Sequence, residues 1–107
     1  MIELTRELTE RQQRIIASCL NATVYGKFFP EWEFQTLFGV NRNVVARVLA
    51  AWPTVNASDV EVRAAVVGAL NHLLGYPHGH KKEWAEYIPA TPVEVQETLD
   101  RLVELGL

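Results

Sequence analysis

At 107 residues the chain has the size of one domain, long enough to bury a hydrophobic core without help from a metal or a disulfide, and 49% hydrophobic against 21% charged residues excludes a disordered segment. The net charge is −3 and unevenly spread: residues 1–47 hold six basic and five acidic side chains, residues 48–107 four and eight. The acidic half disfavours indiscriminate binding to nucleic acid. Cys19 is the single cysteine, which excludes an intrachain disulfide and a thiolate cluster for zinc.

No apolar run approaches the roughly 20 residues that span a bilayer, and the start MIELTRELTE lacks the basic-then-apolar layout of a signal peptide, so a soluble cytoplasmic protein is expected. The sequence has no internal repeat, low-complexity tract or linker. Its punctuation predicts an all-α single domain over 1–107, a compact bundle of five or six helices and no strands.

In chain order, IELTRELT is compatible with a separate short helical turn. Thr9 followed by Gln12 has the spacing of a capping box and starts a helix over about Glu10 to Val24. Ile15, Ile16, Cys19, Leu20 and Val24 recur there at helical spacing and form one core-facing stripe, which makes Cys19 a small buried hydrophobe rather than a reactive thiol. A short second helix opens at Pro30 with Glu31 and Glu33 at its positive end, turns Phe34, Leu37 and Phe38 inward, and closes at Gly39. Asn41 is a good N-cap for a third helix that runs to about Trp52 and stops at Pro53. Val44, Val45, Val48, Leu49 and Trp52 are its predicted inner face, and Arg42, Asn43, Ala46 and Arg47 its outer one.

Ser58 and Glu61 have a second capping-box spacing, and Gly75 before Pro77 ends the helix they open. Val60, Val62, Val66, Val67, Leu70, Leu73 and Leu74 cover most of the circumference of this segment, about 59–74. Ala64, Ala65, Gly68 and Ala69 allow neighbours to approach closely. A helix apolar almost all round belongs at the centre of a bundle. After the GYPHGH turn, HKKEWAEYI supports a short helix, and Thr91, Pro92 and Glu94 start a last one with Val93, Val95, Leu99, Leu102, Val103 and Leu105 as its apolar face.

Three features bear on function. FQTLFGVNRNVVARVL, residues 34–49, places Gly39 at a turn, Val40 and Asn41 after it, and Val45 and Val48 at fixed offsets. This stretch resembles the helix-turn-helix of bacterial repressors. The resemblance implies a regulatory protein that binds duplex DNA, with Asn41 on phosphate at the helix start and Arg42, Asn43 and Arg47 as base readers or phosphate clamps. Readers of this kind usually bind as dimers, so a homodimer is an open expectation, although no separate dimerisation segment is visible.

The second feature is VYGKFFPEWEF, which with Phe38 concentrates six of the ten aromatic residues between Tyr25 and Phe38. Phe28, Phe29 and Trp32 are candidate anchors for a protein partner. With the acidic C-terminal half, they give the alternative reading: a small acidic interaction module, of inhibitor or immunity type, for a basic protein.

The third is NHLLGYPHGHKKE, where His72, His78 and His80 fall within nine residues, with Glu83 as a further candidate metal ligand and Lys81 and Lys82 as a small positive patch. Glu83 or Glu86 as a general base would turn this cluster into an enzyme. No nucleophile, second carboxylate or phosphate-cradling glycine loop stands beside them, so a non-catalytic protein without cofactor or resident metal is the expectation.

Overall fold

The computed structural model describes residues 3–107. Among them the chain forms seven helices, α1 (Leu4–Glu7), α2 (Glu10–Tyr25), α3 (Glu31–Phe38), α4 (Arg42–Ala51), α5 (Val60–Gly75), α6 (Trp84–Tyr87) and α7 (Pro92–Glu104), with a 3₁₀ turn at Lys81–Glu83 and no strand. The all-α expectation holds. The count exceeds five or six because α1 and α6 are single turns of four residues each. The first residue of the IELTRELT stretch, Ile2, lies outside the described residues.

Local chemistry sets most of the boundaries. Thr9 and Gln12 exchange the two bonds of a capping box at the start of α2, and Thr91 and Glu94 do the same for α7, with Pro92 at its first position. The Asn41 side chain accepts from the Val44 N–H at 3.0 Å and starts α4. Each such cap is worth about 1 kcal/mol. Gly39 ends α3 at φ 73°, the left-handed backbone that a Cβ disfavours. At α5 the cap is Asp59, not Ser58: its carboxylate accepts from the N–H groups of Glu61 and Val62. A carboxylate there also opposes the partial positive charge of the helix start.

The centre of the bundle is α5, as its all-round apolar sequence predicts; it packs against α2, α3, α4 and α7. Ala65, Val66, Ala69, Leu70 and Leu73 are buried along it, against Ile16, Cys19 and Leu20 of α2, Val45 and Val48 of α4, and Val95, Leu99 and Leu102 of α7. Gly68 lets the Phe38 ring come so near that a Cβ would stand 2.7 Å from Phe38 Cδ1.

Two parts of the predicted apolar faces point outward instead. Val60 is exposed at the first turn of α5. On α7, Val93 and Val103 are exposed while Thr98 is buried. Helical phase explains the exchange: Val95, Thr98, Leu99 and Leu102 share one face, whereas Val93, Gln96, Glu97, Asp100, Val103 and Glu104 fall opposite. Thr98 tolerates burial because its hydroxyl donates to the Glu94 carbonyl at 2.9 Å.

Candidate functional site

The four polar residues at the start of α4 divide into two pairs. Arg42 turns inward, contrary to its predicted outward position. Its Nε donates to Glu31 at 2.8 Å, Nη1 to the carbonyls of Thr23 and Val24 at 2.8 and 3.1 Å, and Nη2 to the Phe29 carbonyl at 2.9 Å. The guanidinium carbon lies 4.4 Å from the centre of the Phe34 ring, and the side chain is only 22% exposed. Four of the five guanidinium N–H groups are therefore engaged inside the molecule.

The cause lies in α2. Its last turn contains no basic residue, so its final carbonyls, the negative end of the helix dipole, lack a local cation. Arg42 supplies one from the next-but-one helix and stitches the end of α2, the loop at Phe29 and the start of α3 to α4. An arginine at the positively polarised start of a helix, with an acidic residue shortly upstream, was the available sequence signal for such a role.

Asn41 also has a structural task, as the N-cap. Asn43 and Arg47 are exposed on α4 and make no side-chain hydrogen bond or ion pair among the described residues. Arg47 lines a shallow groove together with Asp59 and Glu61, which places carboxylates beside it. In the motif region α3 packs principally on α5, while α4 packs on α2 and α5.

The aromatic cluster divides as sharply. Phe28 and Phe29 are 1% and 3% exposed and belong to the core, so they are not available as anchors. Phe29 meets the edges of Phe34 and Phe38, and Phe28 those of His78 and Tyr87. Trp32, by contrast, is 80% exposed and Tyr25 is 68% exposed. Trp32 stands in the first turn of α3 between Glu31 and Glu33. Tyr76, capping α5, donates its hydroxyl to Glu33; that bond, then burial and the carboxylate's charge, raises the phenol above its ordinary pKa.

The histidines do not converge on a common point. The Nε2 of His72 lies 2.7 Å from the Leu37 carbonyl, and its ring packs against Phe29 and Phe38. His78 Nδ1 accepts from the His80 backbone N–H at 2.9 Å and Nε2 faces the Leu73 carbonyl at 3.2 Å, which together assign the Nε2–H tautomer. His80 lies 3.6 Å from Glu83. Among the described residues no three His, Cys, Asp or Glu side chains are gathered to hold a metal. His72, His78 and His80 are thus each held by a separate attachment.

Cys19 is fully buried, and burial pushes its thiol up to about 12. A nucleophilic thiolate is disfavoured at neutral pH. Among the described residues no helix is long and apolar enough to cross a membrane.

One feature escaped the sequence reading: an open groove of about 460 Å³ where the end of α5, the Tyr76–His80 turn, and the starts of α6 and α7 meet. Its walls come from segments up to 19 positions apart. No local periodicity announces it.

These elements define a small all-α bundle with exposed rings at Tyr25 and Trp32, an exposed polar face on α4 and an apolar groove beyond α5. No protein-family model, curated protein or solved structure matches the chain.

Proposed function

We propose that the protein is a non-catalytic binding module for a partner protein that presents basic residues. The observation that carries this reading is Trp32, an indole left 80% exposed within an acidic helix start. Burying such a side chain is worth roughly 1.5–3 kcal/mol to the chain that covers it, and tryptophans of this kind dominate interface energetics. Arg42 clamps the end of α2 to the start of α3, so Tyr25 and Trp32 stand on a common rigid junction and lose little freedom on docking. Glu33 beside the indole, and Glu97 and Asp100 on the outer face of α7, take part in no ion pair among the described residues and favour encounter with a basic surface, whereas the charge of Glu31 is offset by Arg42.

The test compares Trp32→Ala with the charge reversal Glu97→Lys/Asp100→Lys. All three positions are exposed, so each variant is expected to stay within about 0.5 kcal/mol of the parent in denaturant unfolding. Trp32→Ala is expected to abolish retention of the partner recovered by cross-linking in cell extract, and the charge reversal to slow its association. Retention of the same partner by both variants at parental strength would sink the reading.

A duplex-DNA reading rests on Asn43 and Arg47, which are exposed on α4. It predicts retention on duplex DNA that weakens with salt and drops in Arg47→Ala. Absence of retention at about 50 mM salt eliminates it.

A further inference from the structure

The groove beyond α5 differs from the Trp32 surface in having concave apolar walls, formed by Leu73, Leu74, Pro77, Trp84, Ala85 and Pro92. Four lining side chains carry polar atoms, and three of these are already satisfied. The Trp84 indole N–H donates to the Ala90 carbonyl at 2.7 Å, the Tyr76 hydroxyl donates to Glu33, and both ring nitrogens of His78 are held by backbone. These bonds fix the walls in place before any ligand arrives.

Lys81 is the exception. It is exposed, lines the groove, and takes part in no ion pair among the described residues. No carboxylate lines the groove, and Glu83, the nearest in sequence, faces His80. The site therefore presents an apolar trough in which, among the described residues, Lys81 is the one lining side chain with an unengaged polar group.

Size decides between a macromolecule and a small ligand. A stable protein interface engages about 20–30 residues a side, whereas ten residues line this groove. Its volume of about 460 Å³ falls inside the range of roughly 300–1,000 Å³ occupied by small-molecule sites, which are mostly apolar with a few placed polar groups.

We propose that the groove binds a small amphiphilic monocarboxylate of the medium-chain fatty-acid type. The tail lies along Leu73, Leu74, Trp84 and Pro92, and the carboxylate pairs with Lys81. Charge complementarity selects the anion: a neutral tail gains the walls alone, and a cationic one meets the ammonium head-on.

Titration calorimetry with decanoate, kept below its micellar range, tests the assignment on the full chain. The expected result is saturable 1:1 binding with a Kd between about 10 μM and 1 mM. Lys81→Glu is expected to weaken it at least about tenfold, and Ala85→Trp, which fills the groove from an exposed position, to remove it. Decanol, with the same tail and no charge, is expected to bind about tenfold more weakly. Circular dichroism of both variants should match the parent. No saturable heat up to about 1 mM decanoate, an affinity indifferent to both substitutions, or decanol binding as tightly as decanoate each overturns the proposal.

Discussion

Two regions rich in polar and aromatic side chains, the α2–α3–α4 junction and the segment from Tyr76 to Trp84, use those side chains in the same way but leave different things free. At the junction Arg42 and Asn41 are engaged by backbone and the phenylalanines are buried, leaving Trp32, Asn43 and Arg47 exposed. At the turn the polar atoms of His78, Tyr76 and Trp84 are engaged, leaving Lys81 exposed beside apolar walls. A residue type associated with function is thus no guide by itself. What matters is whether the fold places a complementary polar group, backbone or side chain, within its reach.

The comparison can be broken most severely at Arg42. Arg42→Ala leaves the carbonyls of Thr23, Val24 and Phe29 without their partner and is expected to cost about 3 kcal/mol in urea unfolding. Arg42→Lys should recover only part, because an ammonium cannot reproduce the fork. A loss below about 1 kcal/mol for Arg42→Ala would show that the junction does not depend on the guanidinium.

The turn offers a smaller test. Trp84→Phe removes the indole donor from the carbonyl of buried Ala90 and is expected to cost about 1–2 kcal/mol by denaturant unfolding. Equal stability would mean that the groove wall is not held by this bond.

A third effect is confined to acid. The Arg11 hydrogen bond, and then the Thr91 backbone N–H, hold Glu94 below the ordinary value of 4.5. A carboxylate depressed in the folded state contributes stability that is complete above 4.5 and is withdrawn as pH falls through the lower folded value. Arg11→Ala removes the principal cause, so its melting temperature should fall less than the parent's on going from neutral pH to below 4.5. Parallel curves would contradict that account. Arg47→Ala should have the smallest effect on folding, within about 0.5 kcal/mol, because its exposed side chain makes no hydrogen bond or ion pair among the described residues.

What was legible in the sequence was what is decided within a few residues. Thr9 with Gln12, Thr91 with Glu94, Asn41 and Gly39 mark helix ends through groups three or four positions away, and each is found doing so. The central place of α5 followed from its composition alone. For Arg42 the sequence offered only its place at a helix start with Glu31 upstream; the carbonyls it binds lie 13 to 19 positions upstream and become neighbours only after α2 and α4 pack. Phe28 and Trp32 show the same limit: four residues apart in an aromatic-rich stretch, one is core and the other surface, since the loop before Glu31 has no period to read. On α7 the error was one of phase, with Val93 and Val103 assigned to the face that Thr98 helps to form.

The lone thiol of Cys19 has a practical consequence. Sealed at the centre of the bundle and protonated at neutral pH, it can react with a disulfide reagent only when the surrounding helices part, so labelling kinetics act as a built-in clock for opening. A ligand that binds only the closed form slows that clock in proportion to its saturation. Decanoate, duplex DNA and a protein partner can then be ranked on the unmodified chain with one assay.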